Sequence, residues 1–98
     1  LVWVKRDGHR VGIGVGLAAR AHITGIGCWS RSMGSSAEIR AVRVMADGGQ
    51  AYGPFTLADA GSIHYFAIDF TAQRLRFEAV DTSGGNTGAV EIEIYGTP

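Results

Sequence analysis

Apolar and polar residues trade places at almost every step along three segments of the chain, and a period of two belongs to a strand with one buried face. In HYFAIDF, Phe66, Ile68 and Phe70 share one face while Tyr65, Ala67 and Asp69 share the other. In RLRFEAV, Leu75, Phe77 and Ala79 alternate with Arg74, Arg76 and Glu78. In AVEIEIY, Val90, Ile92 and Ile94 alternate with Glu91, Glu93 and Tyr95, which predicts an inward face and an outward one. No window carries the i, i+3, i+4, i+7 stripe of a long amphipathic helix. Such a pattern restricts the chain to antiparallel sheet with one face on a core.

The remaining segments point the same way. LVWVKR, RVGIGVGLA, HITGIGCW, AEIRAVRVMA and GPFTLA read as further strands, with glycines 12, 14 and 16 weakening the second. In AEIRAVRVMA the apolar phase slips, with Ile39 and Ala41 on one face and Val42 and Val44 following out of step. A β-bulge, or a strand buried on both sides, produces that slip. Turn chemistry separates the segments at RDGHR, SRSMGSS, ADGGQ, ADAGS and TSGGNTG, and LADAGS has room for a single helical turn. Seven or eight short strands in 98 residues predict one all-β domain over residues 1–98, an antiparallel β-sandwich or barrel.

Composition narrows the function classes. Nine Lys and Arg balance nine Asp and Glu, so no net field draws the chain to nucleic acid or to an anionic membrane. The longest weakly polar run, VGIGVGLAARAHITGIG, is broken by Arg20 and His22 and makes a poor membrane span. Cys28 is the only cysteine, which excludes an internal disulfide, and its place within a strand predicts an inert, buried thiol. Three histidines without short spacing make no zinc motif, no G-x-S-x-G elbow occurs, and GIGVGLA precedes no nucleotide-binding helix. The expectation is a protein that is not an enzyme. Arg40, Arg43, Arg74 and Arg76 are expected in a mixed ion-pair face with Glu78, Glu91 and Glu93.

The order HITGIGCWSRS, EIRAVRVMADGG, QRLRFEAVDTSGGNTGAVEIEIYG resembles the C-terminal two thirds of a discoidin-like domain, the coagulation-factor type C family. Trp29 and Arg31 stand where an "itgi" strand ends in an aromatic and an Arg. Met45-Ala46-Asp47-Gly48 matches an "S-x-D-G" strand end, Ala72 to Phe77 an "a-r-y-l-R-l" strand, and Asn86 to Gly96 a loop with its closing strand. The resemblance runs over about residues 17 to 96 and implies a galactose-binding-like jelly-roll sandwich. It also implies a non-catalytic carbohydrate-binding module, a targeting domain within a larger secreted or cell-surface protein. Only sixteen residues precede it, and the Thr and Trp that follow Asp-Gly in the family do not follow Asp7-Gly8. Glu91 matches a residue that helps hold a structural calcium in the family, yet calcium wants six to eight oxygens and one carboxylate supplies at most two. No other cofactor is implied.

Sugar recognition needs an aromatic face against C–H bonds and planar donors and acceptors for hydroxyls, held at the end of a rigid sheet. Trp29, Arg31, His64, Tyr65 and Asn86 are the candidates for a glycan or polysaccharide partner. Each has a plainer role: a core Trp29, a solvated Arg31, an exposed strand-start pair at His64 and Tyr65, and a left-handed turn at Asn86. The alternative is a protein-interaction or homo-oligomerisation module on the same fold, using an exposed sheet edge.

Overall fold

A computed structural model describes residues 3–9, 13–34, 36–85 and 87–97. Among them the chain is all-β and antiparallel, with six strands in one continuous sheet: β1 (Trp3–His9), β2 (Ile13–Ser30), β3 (Ile39–Ala46), β4 (Ala51–Thr56), β5 (His64–Thr82) and β6 (Ala89–Thr97). Their order is β1-β6-β2-β5-β3-β4. No helix among the described residues is long and apolar enough to cross a membrane.

Six strands stand in place of the seven or eight expected because two expected pairs are each one strand. RVGIGVGLA and HITGIGCW join into the 18 residues of β2, and HYFAIDF and RLRFEAV into the 19 residues of β5. A bulge hides the continuity. Gly16 pairs with Arg74 and Ala21 with Ala72, so β2 gains three residues there over β5. On β5 the buried positions run Ile68, Phe70, Ala72, then Leu75 and Phe77, with Gln73 and Arg74 both exposed at the change of phase. Irregular pairing of this kind bends a strand and increases its twist. Each long strand thereby serves two regions of the sheet. Residues 13–16 of β2 pair with 74–77 of β5, whereas residues 22–28 of β2 pair with both β5 and β6.

The bend brings β4 back over the first half of β5, although the two share no ladder. Tyr52 stacks on Phe70 with ring centroids 4.6 Å apart, and Phe55 lies 5.0 Å from Phe66. One core results, with Ile23, Ile26, Cys28, Val42, Val44, Phe77 and Ile94 at its fully buried centre. Apolar alternation in β3, β5 and β6 builds this interior, and the phase slip expected in β3 is a pair of register shifts around Ala41.

Several expected details differ. RDGHR makes no turn in residues 6–9, since β1 continues to His9 with an irregular register between Arg6 and His9. Val90 does not point squarely inward; it is the residue skipped between the pairs Trp29–Glu91 and Ser30–Ala89, and it is half-buried. β4 begins at Ala51, which puts Pro54 inside the strand rather than at its start. Pro is tolerated there because β4 is a sheet edge, and the preceding Gly53 supplies a φ of 104°. LADAGS forms bends and no helical turn.

Candidate functional site

Directly opposed residues of an antiparallel ladder share a face, so the register assigns each candidate to a side of the sheet. Ile26 pairs with Phe66 and Ile94, and Cys28 with His64 and Ile92; these side chains belong to the core side. Gly27 pairs with Tyr65 and Glu93, Gly25 with Ala67 and Tyr95, and Trp29 with Glu91; these belong to the outer side. His64 and Tyr65 therefore project to opposite faces. The structure groups Tyr65, Trp29 and Glu91 on one surface and separates His64 from them.

The outer surface is organised by what the middle strand lacks. Gly27 lies between Tyr65 and Glu93, and a Cβ on it would sit 2.9 Å from the Tyr65 ring and 2.9 Å from Ile63 Cδ1. The Tyr65 ring occupies the space that a side chain at position 27 would fill. Lying across the glycine, it reaches two strands over and donates its hydroxyl to Glu93 Oε1 at 3.2 Å. The Tyr95 hydroxyl donates to the same oxygen, and the two rings meet edge to face at 5.9 Å. The hydrogen bond to Glu93 pushes the Tyr95 phenol well above its ordinary pKa.

Glu93 is only 9% exposed, and its burial is tolerable because both phenols solvate it. Tyr65 remains 57% exposed, the one exposed aromatic ring among the described residues. Glu93 and Tyr95, read from the sequence as outward strand residues, thus become parts of a surface cluster. Their alternation was visible in the sequence. The Tyr65 contact was not, because Tyr65 lies 28 residues away from Glu93.

Trp29 borders this surface but is half-buried, and its indole N–H donates to the Ala60 carbonyl at 3.0 Å. It pins the segment between β4 and β5. On that segment Asp59 Oδ1 accepts from the Gly61 N–H at 2.9 Å and lies 3.2 Å from His64 Nε2. These contacts, the Gly61 N–H first and His64 second, hold the Asp59 carboxyl below its ordinary pKa.

Arg31 follows β2 directly, and its backbone N–H donates to the Gly88 carbonyl at 2.8 Å. The Ala37 N–H donates to Gly84 and the Ser83 N–H to Glu38, so the segment after β2 is laced to the loop after β5. Arg31 and that loop share the Trp29 end of the sheet. Asn86 lies outside the described residues.

Glu91 is half-buried beside Trp29, and no three His, Cys, Asp or Glu gather at any point among the described residues to hold a metal. Part of the expected ion-pair face forms around Glu78. Glu78 takes Arg43 at 2.8 Å and Arg76 at 3.3 Å, which holds its carboxyl below the ordinary range, with Arg43 the first cause. Glu91 and Glu93 are not cross-strand partners of Arg40 or Arg43, because β3 neighbours β5 and β4 rather than β6.

Cys28 is fully buried, and desolvation pushes its thiol up to about 12, which leaves almost no thiolate for nucleophilic work at neutral pH. Compared with known proteins, the chain matches no family model, no curated protein and no solved structure.

Proposed function

We propose that the outer surface around Tyr65 binds a glycan without catalysis. The observation that supports this reading is the Tyr65 ring: exposed on one face, backed by Gly27, and fixed at its tip by Glu93. An immobilised aromatic ring offers a flat apolar surface to the C–H face of a sugar at little entropic cost. The phenol oxygens of Tyr65 and Tyr95, whose hydrogens go to Glu93, keep lone pairs that can accept from ring hydroxyls.

An exposed aromatic platform suits extended polysaccharides or chain ends. The same reading takes the folded-back sheet as a galactose-binding-like jelly-roll sandwich of the discoidin-like kind. Its setting is then a targeting domain of a larger secreted or cell-surface protein. Trp29 in this reading positions the neighbouring loop through Ala60 instead of stacking on sugar.

Glycan-array screening followed by calorimetry tests the proposal. Binding to a terminal galactose, an N-acetylhexosamine or a plant polysaccharide is expected. Tyr65→Ala is expected to weaken it about tenfold or more in the folded fraction, the loss of one stacking anchor worth ~1–2 kcal/mol, and to lower the unfolding midpoint because buried Glu93 loses a donor. Binding that survives Tyr65→Ala unchanged removes this surface as the site.

A further inference from the structure

A groove is lined in part by the segment that Trp29 pins, through Leu57, Ala58 and Asp59. Ala41 of β3 pairs with Thr56 of β4 on one side and Asp81 of β5 on the other, so the three form a row across the sheet. The central member contributes only a methyl group. Its two neighbours stand two strand spacings apart, about 10 Å between α-carbons. The register around Ala41 is also irregular: Arg40 is the extra residue on β3 and Val80 the extra residue on β5. Such bulges re-aim side chains at a sheet margin. The result is a groove of about 400 Å3, within the size range of roughly 300–1,000 Å3 typical of small-ligand sites.

The polar groups of the groove fall into two sets. Glu38 Oε2 is occupied by the Ser32 hydroxyl at 2.9 Å, and Asp59 Oδ1 by Gly61 and His64. The side chains of Arg40, Thr56 and Asp81 make no hydrogen bond or ion pair among the described residues, although all three line the same groove. A guanidinium donor, a carboxylate acceptor and a hydroxyl thus border one recess without bonding to each other. Buried Ile39 and Leu57 supply its apolar lining.

We propose that this groove is a second saccharide subsite, taking a neutral vicinal diol between Arg40 and Asp81. Each hydroxyl of a diol both donates and accepts, so one pair donates to the Asp81 carboxylate and accepts from the Arg40 guanidinium. Glu38, Asp59 and Asp81 outnumber Arg40, which disfavours a ligand carrying its own carboxylate. The ligand class rests on the glycan reading above; the location does not, since it is built from other residues on other strands.

The test is an amide-resolved NMR titration of the 15N-labelled chain with galactose, with N-acetylglucosamine and with a xylo-oligosaccharide, each compared with L-arginine. The expected result is saccharide-dependent shifts at Arg40, Ala41, Thr56 and Asp81. Arg40→Ala and Asp81→Ala each weaken that response about tenfold or more, as loss of a charged hydrogen bond does. The response at Gly27 and Tyr65 stays as it was, and Arg74→Ala, an exposed control elsewhere on the sheet, changes nothing. Shifts at Gly27 and Tyr65 with silence in the groove overturn the second subsite and leave the tyrosine surface standing. Shifts in the groove with silence at Tyr65 do the reverse. Groove shifts with L-arginine and with no saccharide overturn the ligand class, and silence at both places overturns both proposals.

Discussion

The two faces of β2 between Gly25 and Trp29 solve opposite problems with the same alternation. On the core side Ile26 and Cys28 are fully buried, filling space between Phe66, Ile92 and Ile94. On the outer side Gly25 and Gly27 present no side chain, and neighbouring strands send Tyr65 and Tyr95 across the gap. One face is stabilised by what the strand carries and the other is shaped by what it omits. A packed interior resists change of any kind, whereas a surface spanned over glycine keeps an aromatic ring fixed and still open to solvent.

The largest expected effect comes from the core side. Ile26→Ala removes most of a fully buried side chain, and its surroundings are held by three strands that limit collapse of the cavity. A loss of ~2–5 kcal/mol in denaturant unfolding is expected, with the proposed glycan binding at the tyrosine surface unaffected in the folded fraction. A loss below about 1 kcal/mol would mean that the two faces do not differ as described.

A smaller effect is expected from Gly27→Val. Valine suits a strand better than glycine, so intrinsic preference alone predicts stabilisation. The space says otherwise, because the new Cβ would meet the Tyr65 ring and Ile63 at 2.9 Å. Eviction of Tyr65 also removes its hydroxyl from Glu93. A cost of ~1–3 kcal/mol is expected together with loss of any ligand that Tyr65 holds. A stabilised Gly27→Val variant with binding intact would show that the glycine is a strand defect rather than the floor of a surface.

These two positions also mark how far the sequence could be read. The buried role of Ile68, Phe70, Leu75, Phe77, Ile92 and Ile94 follows from alternation alone, and the structure buries all six. The continuity of β2 and β5 does not follow. The irregular stretches near residues 17–20 and 73–74 reverse the phase, and in sequence a reversed phase looks like a new strand. The role of glycines 25 and 27 does not follow either, because the rings beside them arrive from β5 and β6 through pairings of long sequence separation. The separation of His64 from Tyr65 was available from strand geometry, since adjacent strand residues face opposite ways. The groove at Ala41 was not, since it needs β3, β4 and β5 placed side by side.

The smallest effect concerns the segment between the two surfaces, which Trp29 holds through Ala60 and Asp59 holds through Gly61 and His64. The Asp59 carboxyl is held below its ordinary pKa, so its contribution to order is present above the ordinary range near 4 and is lost as pH falls through the lowered value. Asp59 is exposed, so global stability should hardly respond. The local response is readable at the Trp29 indole N–H, whose NMR shift reports its bond to the Ala60 carbonyl. In the native chain that resonance is expected to move toward its solvated position below about pH 4. In Asp59→Asn the amide oxygen still accepts from Gly61 but carries no charge and does not titrate, so the resonance should stay flat across the same range. A native-like acid transition in Asp59→Asn would show that a carboxylate other than Asp59 controls this segment at low pH.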